Sequence, residues 1–181
     1  MKLLFVAGFF VAVLGGCSAS LNSYKNKSPQ FKMNEFFSGK LCAWGVVRDR
    51  SGEVSRKFVA DIAATAEKDA VVLDEDFVFD DGEKQKRIWK FVRKNEQWIG
   101  TAGDVVGEAV GRVKGDTLHL TYELAIQVEG TEYVIAMDDW LHLIDSKTLM
   151  GSTDMSKWGF NVGRIDISIQ QTQVESCLAN L

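Results

Sequence analysis

Apolar and polar residues alternate in short runs from residue 36 to about residue 170, and glycine, aspartate and asparagine separate the runs. Alternation with a period of two is typical of β-strands that bury one face, and the separators mark hairpin turns. We predict a strand or a pair of strands in each of eight segments: KLCAWGVVRD, SRKFVADIAATA, AVVLDEDFVFD, KRIWKFVR, QWIGTAGDVVGEAVG, TLHLTYELAIQVEG, TEYVIAMDDWLHLID and GFNVGRIDISIQQ.

Many short strands joined by hairpin turns predict a single all-β domain, and we favour an up-and-down antiparallel barrel of roughly eight to ten strands over a sandwich. A closed barrel has no exposed edge strand and has room for side chains or one small ligand. Charged residues on the outward faces, such as Arg56, Lys90 and Glu123, exclude a lipid-facing band. One short helix is predicted near the start, with Ser28 as its cap and Pro29 at its first position.

Glu129 and Gly130 form a predicted hairpin turn that sets the register of the strands on either side. A two-residue loop places Val128 opposite Thr131. Counting from this pair, one face is almost entirely apolar and should point into the barrel, whereas the other is mostly polar and should face outward. The inner face carries Leu118, Leu120, Tyr122, Leu124, Ile126, Tyr133, Ile135, Met137, Asp139 and Leu141.

Two adjacent aspartates in the second of these strands point to opposite faces. Asp139 falls on the inner face, and Asp138 falls on the outer face within reach of His119. A buried carboxylate without a partner is costly, so we expect Asp139 to be paired or protonated. A register shift of one residue would exchange the two roles.

A second set of inward polar residues is predicted on the hairpin around the three-residue loop 80–82. This loop places Glu75 opposite Arg87, and the apolar residues on the same face mark it as the inner one. The interior is then either a hydrogen-bonded network that stabilises the strand register or a ligand-binding site with apolar walls. The candidate ligand-binding residues are Glu75, Arg87, Trp89, Tyr122, Met137 and Asp139.

The N-terminal segment predicts export and lipid attachment. Residues 1–16 combine one positive charge, an apolar run and small residues, which is typical of a secretory signal peptide and not of a membrane-spanning helix. The sequence LGGC resembles the bacterial lipobox, which implies cleavage before Cys17 and acylation of that cysteine. Residues 17–30 form a predicted flexible tether, and the barrel domain covers residues 31–181.

The sorting signal and the charge indicate the compartment and the class of partner. Ser18 follows the lipobox cysteine, and the absence of aspartate there is typical of Gram-negative lipoproteins of the outer membrane. For a Gram-negative source, we therefore expect an outer-membrane lipoprotein that faces the periplasm. Without Lys2 the chain keeps 20 basic and 25 acidic residues, so it offers no basic surface for nucleic acid.

Two cysteines remain if Cys17 carries lipid. Cys42 and Cys177 would lie in an oxidising compartment. They either form a disulfide between the first strand and the C-terminal tail or remain as two unpaired thiols. Such a bridge would stabilise the fold by about 4–5 kcal/mol in the chain-entropy model.

The sequence contains no recognised catalytic motif. The glycine-rich segment 97–111 lacks the helix that should follow a phosphate-binding loop, so its glycines predict bulges or bends in a strand. His119 and His142 are the only histidines, and they lack a third ligand at zinc-like spacing. No nucleophile elbow is present, and we predict no cofactor and no metal.

Six motifs resemble an uncharacterised family of bacterial lipoproteins, the domain-of-unknown-function family 3833. They are AWGVVRDRSG, FVFDDGE, RIW, GTAGDVVGEAVG, DDWLHLID and MSKWGFNVG, and the resemblance extends from residue 36 to about residue 170. The resemblance implies a lipocalin-like (calycin-type) barrel of periplasmic proteins and favours an acyl ligand. It implies no catalytic residue.

Three functions are compatible with these expectations. The one we favour is a lipid-anchored carrier or sensor that binds a fatty-acyl or similar apolar ligand, with Arg87 at the head group. An enzyme would instead use Asp139 or Glu75 as a general acid or base on a lipid. A structural or interaction protein would have a packed interior and an outer contact surface that includes Asp138, His119, Trp140 and the glycine-rich segment.

Overall fold

Residues 19–178, which the computed structural model describes, form ten antiparallel strands in up-and-down order. A 3-10 helix, Leu21–Tyr24, and a short α-helix, α1 (Met33–Phe36), precede the strands. The strands are β1 (Gly39–Asp49), β2 (Val54–Ala66), β3 (Ala70–Phe79), β4 (Lys84–Lys94), β5 (Gln97–Thr101), β6 (Val105–Lys114), β7 (Thr117–Val128), β8 (Thr131–Leu143), β9 (Thr148–Lys157) and β10 (Phe160–Gln171).

The sheet closes on itself because β1 pairs with both β2 and β10. Closure leaves no strand of the barrel with an unpaired edge. The predicted all-β antiparallel barrel is therefore confirmed, with ten strands. Within residues 19–178, no helix has the length and apolar character needed to cross a membrane.

Both predicted hairpin registers are confirmed. β7 and β8 meet at the turn 129–130, with Val128 opposite Thr131. The two turn residues have positive φ angles of 50° and 79°, which is the conformation of a two-residue turn that matches the twist of the strands. β3 and β4 pair with Glu75 opposite Arg87, as the three-residue loop requires.

The glycine-rich segment forms β5, a turn and the start of β6. The register between β6 and β7 shifts between Val106 and Val110. Gly107, inside this shift, has a φ angle of +75°, which favours glycine over residues with a side chain. The bulge predicted from the glycines is present at this position, where it bends β6.

Four apolar side chains from the segment before β1 close one end of the barrel. Phe31, Met33, Phe36 and Phe37 are all buried, and the rings of Phe36 and Phe37 meet edge to face with their centroids 5.1 Å apart. At the end of β10, Gln171 donates a hydrogen bond of 2.7 Å to the carbonyl of Phe36. We refer to this end as the closed end.

The predicted short helix exists, but its predicted start is wrong. Lys32 is the cap residue in an extended conformation, and the helix begins at Met33. Ser28 and Pro29 lie outside it. The physical reason is tertiary: the backbone N–H of Phe31 donates to the Gly115 carbonyl at 2.8 Å, so the chain stays extended while the Phe31 ring enters the barrel.

The described part of the predicted tether, from residue 19, lies against the outer wall near the closed end. The Tyr24 ring packs against Trp140 and His142, with centroid distances of 6.1 Å and 5.0 Å. A side chain at Gly115 would collide with the Tyr24 carbonyl. This close approach requires glycine in the turn between β6 and β7.

A disulfide joins Cys42 in β1 to Cys177 in the C-terminal tail, with Cα atoms 6.0 Å apart. Asp61 of β2 lies opposite Cys42. Its carboxylate accepts hydrogen bonds from the Cys177 backbone N–H at 2.7 Å and from the Ser176 hydroxyl at 2.5 Å. Of the two alternatives that the sequence leaves open, the structure has the bridge, and the tail is held on the outside of the barrel.

Replacing Cys42 and Cys177 by serine is expected to lower the free energy of unfolding by about 5 kcal/mol, because the unfolded chain is no longer closed over a sequence separation of 135 residues. Urea unfolding followed by tryptophan fluorescence, with and without a reductant, measures the difference. The natural chain should lose stability on reduction, and the double variant should not respond. Equal stability of the reduced and oxidised natural chain would contradict this prediction.

Candidate ligand-binding site

The inner faces of the strands surround a cavity of about 580 Å³. The cavity extends from Met33 and Phe37 at the closed end to Gln127 and Val128 at the opposite end, which we call the mouth. The volume lies within the range of small-molecule pockets. Side chains therefore do not fill the interior, in contrast to the packed barrel that the interaction-protein hypothesis requires.

Aromatic and aliphatic side chains form most of the cavity wall. Towards the closed end, the Trp89 ring stacks on Phe91 at 5.0 Å and meets the Tyr122 ring edge-on at 5.3 Å. Met137 is also buried on this wall. Nearer the mouth, three rings pack with centroids 5.6 to 6.3 Å apart, those of Phe58, Phe77 and Phe79.

Five polar side chains interrupt this apolar wall between the closed end and the mouth. Cross-strand pairing places Glu75 of β3 beside Arg87 of β4, and Asp139 of β8 beside Thr153 of β9. Tyr122 comes from β7 and also lines the cavity. We refer to these five residues as the polar belt.

Arg87 pairs with Asp104, a residue that the sequence analysis does not single out. The Arg87 Nε atom donates to the Asp104 carboxylate at 2.9 Å, and its Nη2 atom donates at 2.7 Å. Burial lowers the pKa of Arg87, but the hydrogen bonds of Asp104 and the charge of Glu75 raise it above its ordinary value overall. Asp104 thus occupies the guanidinium that we expected at a ligand head group.

The turn between β4 and β5 indicates Asp104 as the partner of Arg87. Lys94 lies opposite Gln97 around this two-residue turn, and the pairing continues to Lys90 opposite Thr101. The same register, carried beyond the end of β5, places Asp104 opposite Arg87. The signal was therefore present in the sequence, in a segment where the glycines drew attention to bulges instead.

Asp139 is buried, and its Oδ1 atom has no hydrogen-bond partner among residues 19–178. Burial raises the pKa of Asp139 to about 7, although contact with the Thr153 and Tyr122 hydroxyls lowers it in part. Of the two states expected for an inward Asp139, paired or protonated, the raised pKa favours the protonated one. The carboxyl group is protonated through much of the range below pH 7.

Burial also raises the pKa of Glu75 to about 7, against the attraction of Arg87. The charges of Asp104 and Asp139 raise it further. The belt combines one cation that is paired with a carboxylate with two carboxyl groups that ionise near neutral pH. Such groups accept hydrogen bonds when ionised and also donate when protonated.

Large apolar side chains are exposed around the mouth. On the hairpin between β9 and β10, Trp158 is 86% exposed and Phe160 is 74% exposed. The Lys157 ammonium lies 4.6 Å from the ring centre of Tyr133 and 5.0 Å from that of Trp158. The entrance to the cavity is therefore lined on this side by apolar and aromatic groups.

The outer-face residues that the sequence brought together are adjacent in the structure. His119 Nε2 lies 2.7 Å from Asp138 Oδ1, and the imidazole stacks on Trp140 with a centroid distance of 4.1 Å. His142 Nδ1 instead contacts the Thr117 hydroxyl at 2.8 Å. Because the Tyr24 ring packs near Trp140, this part of the wall holds the N-terminal segment.

The region that contains these residues also matches a protein family. The chain belongs to the family described as "Protein of unknown function (DUF3833)". The match covers residues 11–171, which include all ten strands. The domain family expected from the motifs is confirmed, and a comparison with curated proteins gives no match.

The matches among solved structures have low sequence identity. The S-type phycobiliprotein lyase from Guillardia theta has a TM-score of 0.54 and 10% identity, over 76% of this chain and 89% of the lyase. The redesigned barrel mFAP1 bound to DFHBI has a TM-score of 0.41 and 9% identity, over 76% and 97%. EF1p2_mFAP2b bound to DFHBI has a TM-score of 0.42 and 8% identity, over 78% and 100%. The likeness to the lyase supports the barrel fold.

Stability is expected to fall as pH rises from about 4.5 to about 7. In the folded chain the pKa values of Glu75 and Asp139 are about 7, above their ordinary values of 4.5 and 3.8. The folded state therefore binds more protons than the unfolded state in this window, and each added pH unit favours unfolding. Asp139→Asn should flatten the slope and remove up to about 3 kcal/mol of the change in the free energy of unfolding across this window.

Urea unfolding at a series of pH values measures this slope, and Asp138→Asn is the matched control. Asp138 is the neighbouring residue on the same strand, but its side chain is 52% exposed. Acids with lowered pKa values, such as Asp49 and Asp166, titrate below the window. A slope that is unchanged in Asp139→Asn, or lost equally in Asp138→Asn, would refute the assignment.

Proposed function

We propose that this protein is a lipid-anchored periplasmic barrel that binds a fatty-acyl or other small apolar ligand in its cavity. The observation that carries the proposal is the 580 Å³ cavity with an apolar wall and a few polar groups between its ends. Each methylene group that a ligand buries against such a wall contributes about 0.8 kcal/mol. The exposed aromatic residues at the mouth offer an apolar path for a ligand to enter.

The lipid anchor is proposed from the sequence, because Cys17 lies outside the described residues. The described chain starts beside the closed end, where Tyr24 packs on the wall and Phe31 is buried in the hydrophobic core. An acylated Cys17 would therefore attach the barrel near its closed end. The mouth lies at the opposite end, where a ligand could exchange with the periplasm.

Native mass spectrometry tests ligand binding. The chain from Ser18 onward, which contains every described element, would be exported to the periplasm and purified gently. We expect a discrete additional mass in the lipid range. Ile135→Trp should reduce the bound fraction about tenfold, because Ile135 is buried on the cavity wall and a larger ring takes up ligand space.

The matched control is Val134→Trp. Val134 is the preceding residue on β8, faces away from the cavity and is 38% exposed. This variant should keep the additional mass. A bare chain mass in every preparation would contradict the proposed function, and loss of the ligand in both variants would show that the effect does not come from the cavity.

Cys17→Ser is expected to abolish the incorporation of labelled palmitate and to release the chain from the membrane fraction. Several acyl chains on one residue give stable anchoring, since each buried methylene adds about 0.8 kcal/mol. Cys42→Ser serves as the control, because Cys42 forms the disulfide with Cys177. Natural levels of label in Cys17→Ser would exclude the anchor.

The pKa values of about 7 at Glu75 and Asp139 favour a second candidate function, acid–base catalysis on a bound lipid. A general acid or base works best when its pKa lies near the working pH. Incubation with extracted membrane lipids, followed by mass spectrometry, would detect a product. Catalysis requires that the product disappears in Asp139→Asn and persists in Asp138→Asn.

A further inference from the structure

The cations and the buried carboxyl groups of the cavity differ in whether they already have hydrogen-bond partners. Within the described residues that line it, the cations are Arg56 and Arg87. The carboxyl groups of the polar belt are those of Glu75 and Asp139, which are 8% and 7% exposed. The availability of each of these groups for hydrogen bonding decides which kind of ligand end the cavity accepts.

Both cations are already neutralised by protein carboxylates. Arg87 donates to Asp104 with two nitrogen atoms, at 2.9 Å and 2.7 Å. Arg56, predicted on an outward face, instead lines the cavity near the mouth. Its Nη2 atom donates to Asp81 at 2.8 Å and to Glu83 at 3.0 Å, and its Nε atom lies 2.7 Å from the Asp81 carboxylate. A ligand carboxylate would have to displace a protein carboxylate from one of these pairs.

A hydrogen-bond acceptor of the polar belt, in contrast, lacks a partner. Asp139 is one of the residues that line the cavity, and its buried Oδ1 atom has no hydrogen-bond partner within residues 19–178. A buried polar atom without a partner is unfavourable until a donor reaches it. Glu75 also lines the cavity and is buried, so a second carboxyl group is present on the wall.

We infer that the cavity prefers an apolar ligand whose polar end donates a hydrogen bond, such as a hydroxyl, amide or ammonium group, over a ligand that ends in a carboxylate. The inference rests on the proposed function and names the ligand class more closely. A donor completes the bonding of Asp139 Oδ1. A carboxylate meets two acids of the same charge, and both arginines of the cavity wall are already paired with protein carboxylates.

Isothermal titration calorimetry at pH 8 with three probes of equal chain length separates the effect of a hydrogen-bond donor from the effect of a carboxylate charge. Dodecanol carries a donor, dodecanoate carries a carboxylate, and methyl dodecanoate carries neither a donor nor a charge. We expect dodecanol to bind the chain from Ser18 onward at least about tenfold more tightly than dodecanoate. Methyl dodecanoate should fall between them, because it neither satisfies Asp139 nor repels it.

Two substitutions test the roles of the residues. Asp104→Asn removes the charge that neutralises Arg87, so it should strengthen dodecanoate binding about tenfold and leave dodecanol unchanged. Asp139→Asn replaces an acid by an amide that also donates hydrogen bonds. It should therefore reduce the ratio of the affinity for dodecanol to the affinity for dodecanoate. Asp138→Asn, on the outer face, should change neither probe. The Asp104 variant keeps the test decisive even if the Asp139 variant fails to fold.

The outcomes distinguish this inference from the proposed function. Dodecanoate binding as tightly as dodecanol, or tighter, overturns the inference and leaves the lipid carrier intact. A gain of dodecanoate binding in Asp104→Asn but not in Asp138→Asn supports it. Absence of binding by all three probes, together with a bare mass in native mass spectrometry, overturns the proposed function and this inference with it.

Discussion

The pairing of β1 with β10 is the constraint on which the remaining structure depends. Once the sheet is closed, each strand has one face that solvent reaches only through the ends of the barrel. Residues on that face must be apolar, paired or functional. The same closure turns the outer wall into a support for the N-terminal segment and for the disulfide-linked tail.

The cavity exists because the two ends of the barrel differ. Phe31, Met33, Phe36 and Phe37 fill the closed end, whereas the mouth is surrounded by hairpins with exposed Trp158 and Phe160. The inner wall between them is lined but not filled. A ligand site of this kind needs no dedicated loop, since the strands themselves place every wall residue.

Electrostatics inside the cavity follow from burial and from one unexpected pairing. Low solvent access raises the pKa values of Glu75 and Asp139 to about 7. Asp104 accepts hydrogen bonds from the Nε and Nη2 atoms of Arg87, so the guanidinium that the sequence suggested for a ligand head group is already paired with a protein carboxylate. This pairing is the reason for our inference that the site prefers a hydrogen-bond donor to a carboxylate.

The sequence by itself determined the strands, the barrel and the registers of two hairpins, because side-chain alternation and turn length are local properties. It also identified Asp139 as inward and Asp138 as outward. Only the tertiary structure decided the start of α1, where burial of Phe31 overrides the local capping pattern. The partner of Arg87 was also recorded in the sequence, because the register of the turn between β4 and β5 continues to Asp104 beyond the end of β5. The tertiary structure also decided that the interior is open. The volume of the cavity depends on how all ten strands and the closed end pack together, and no local sequence pattern determines this packing.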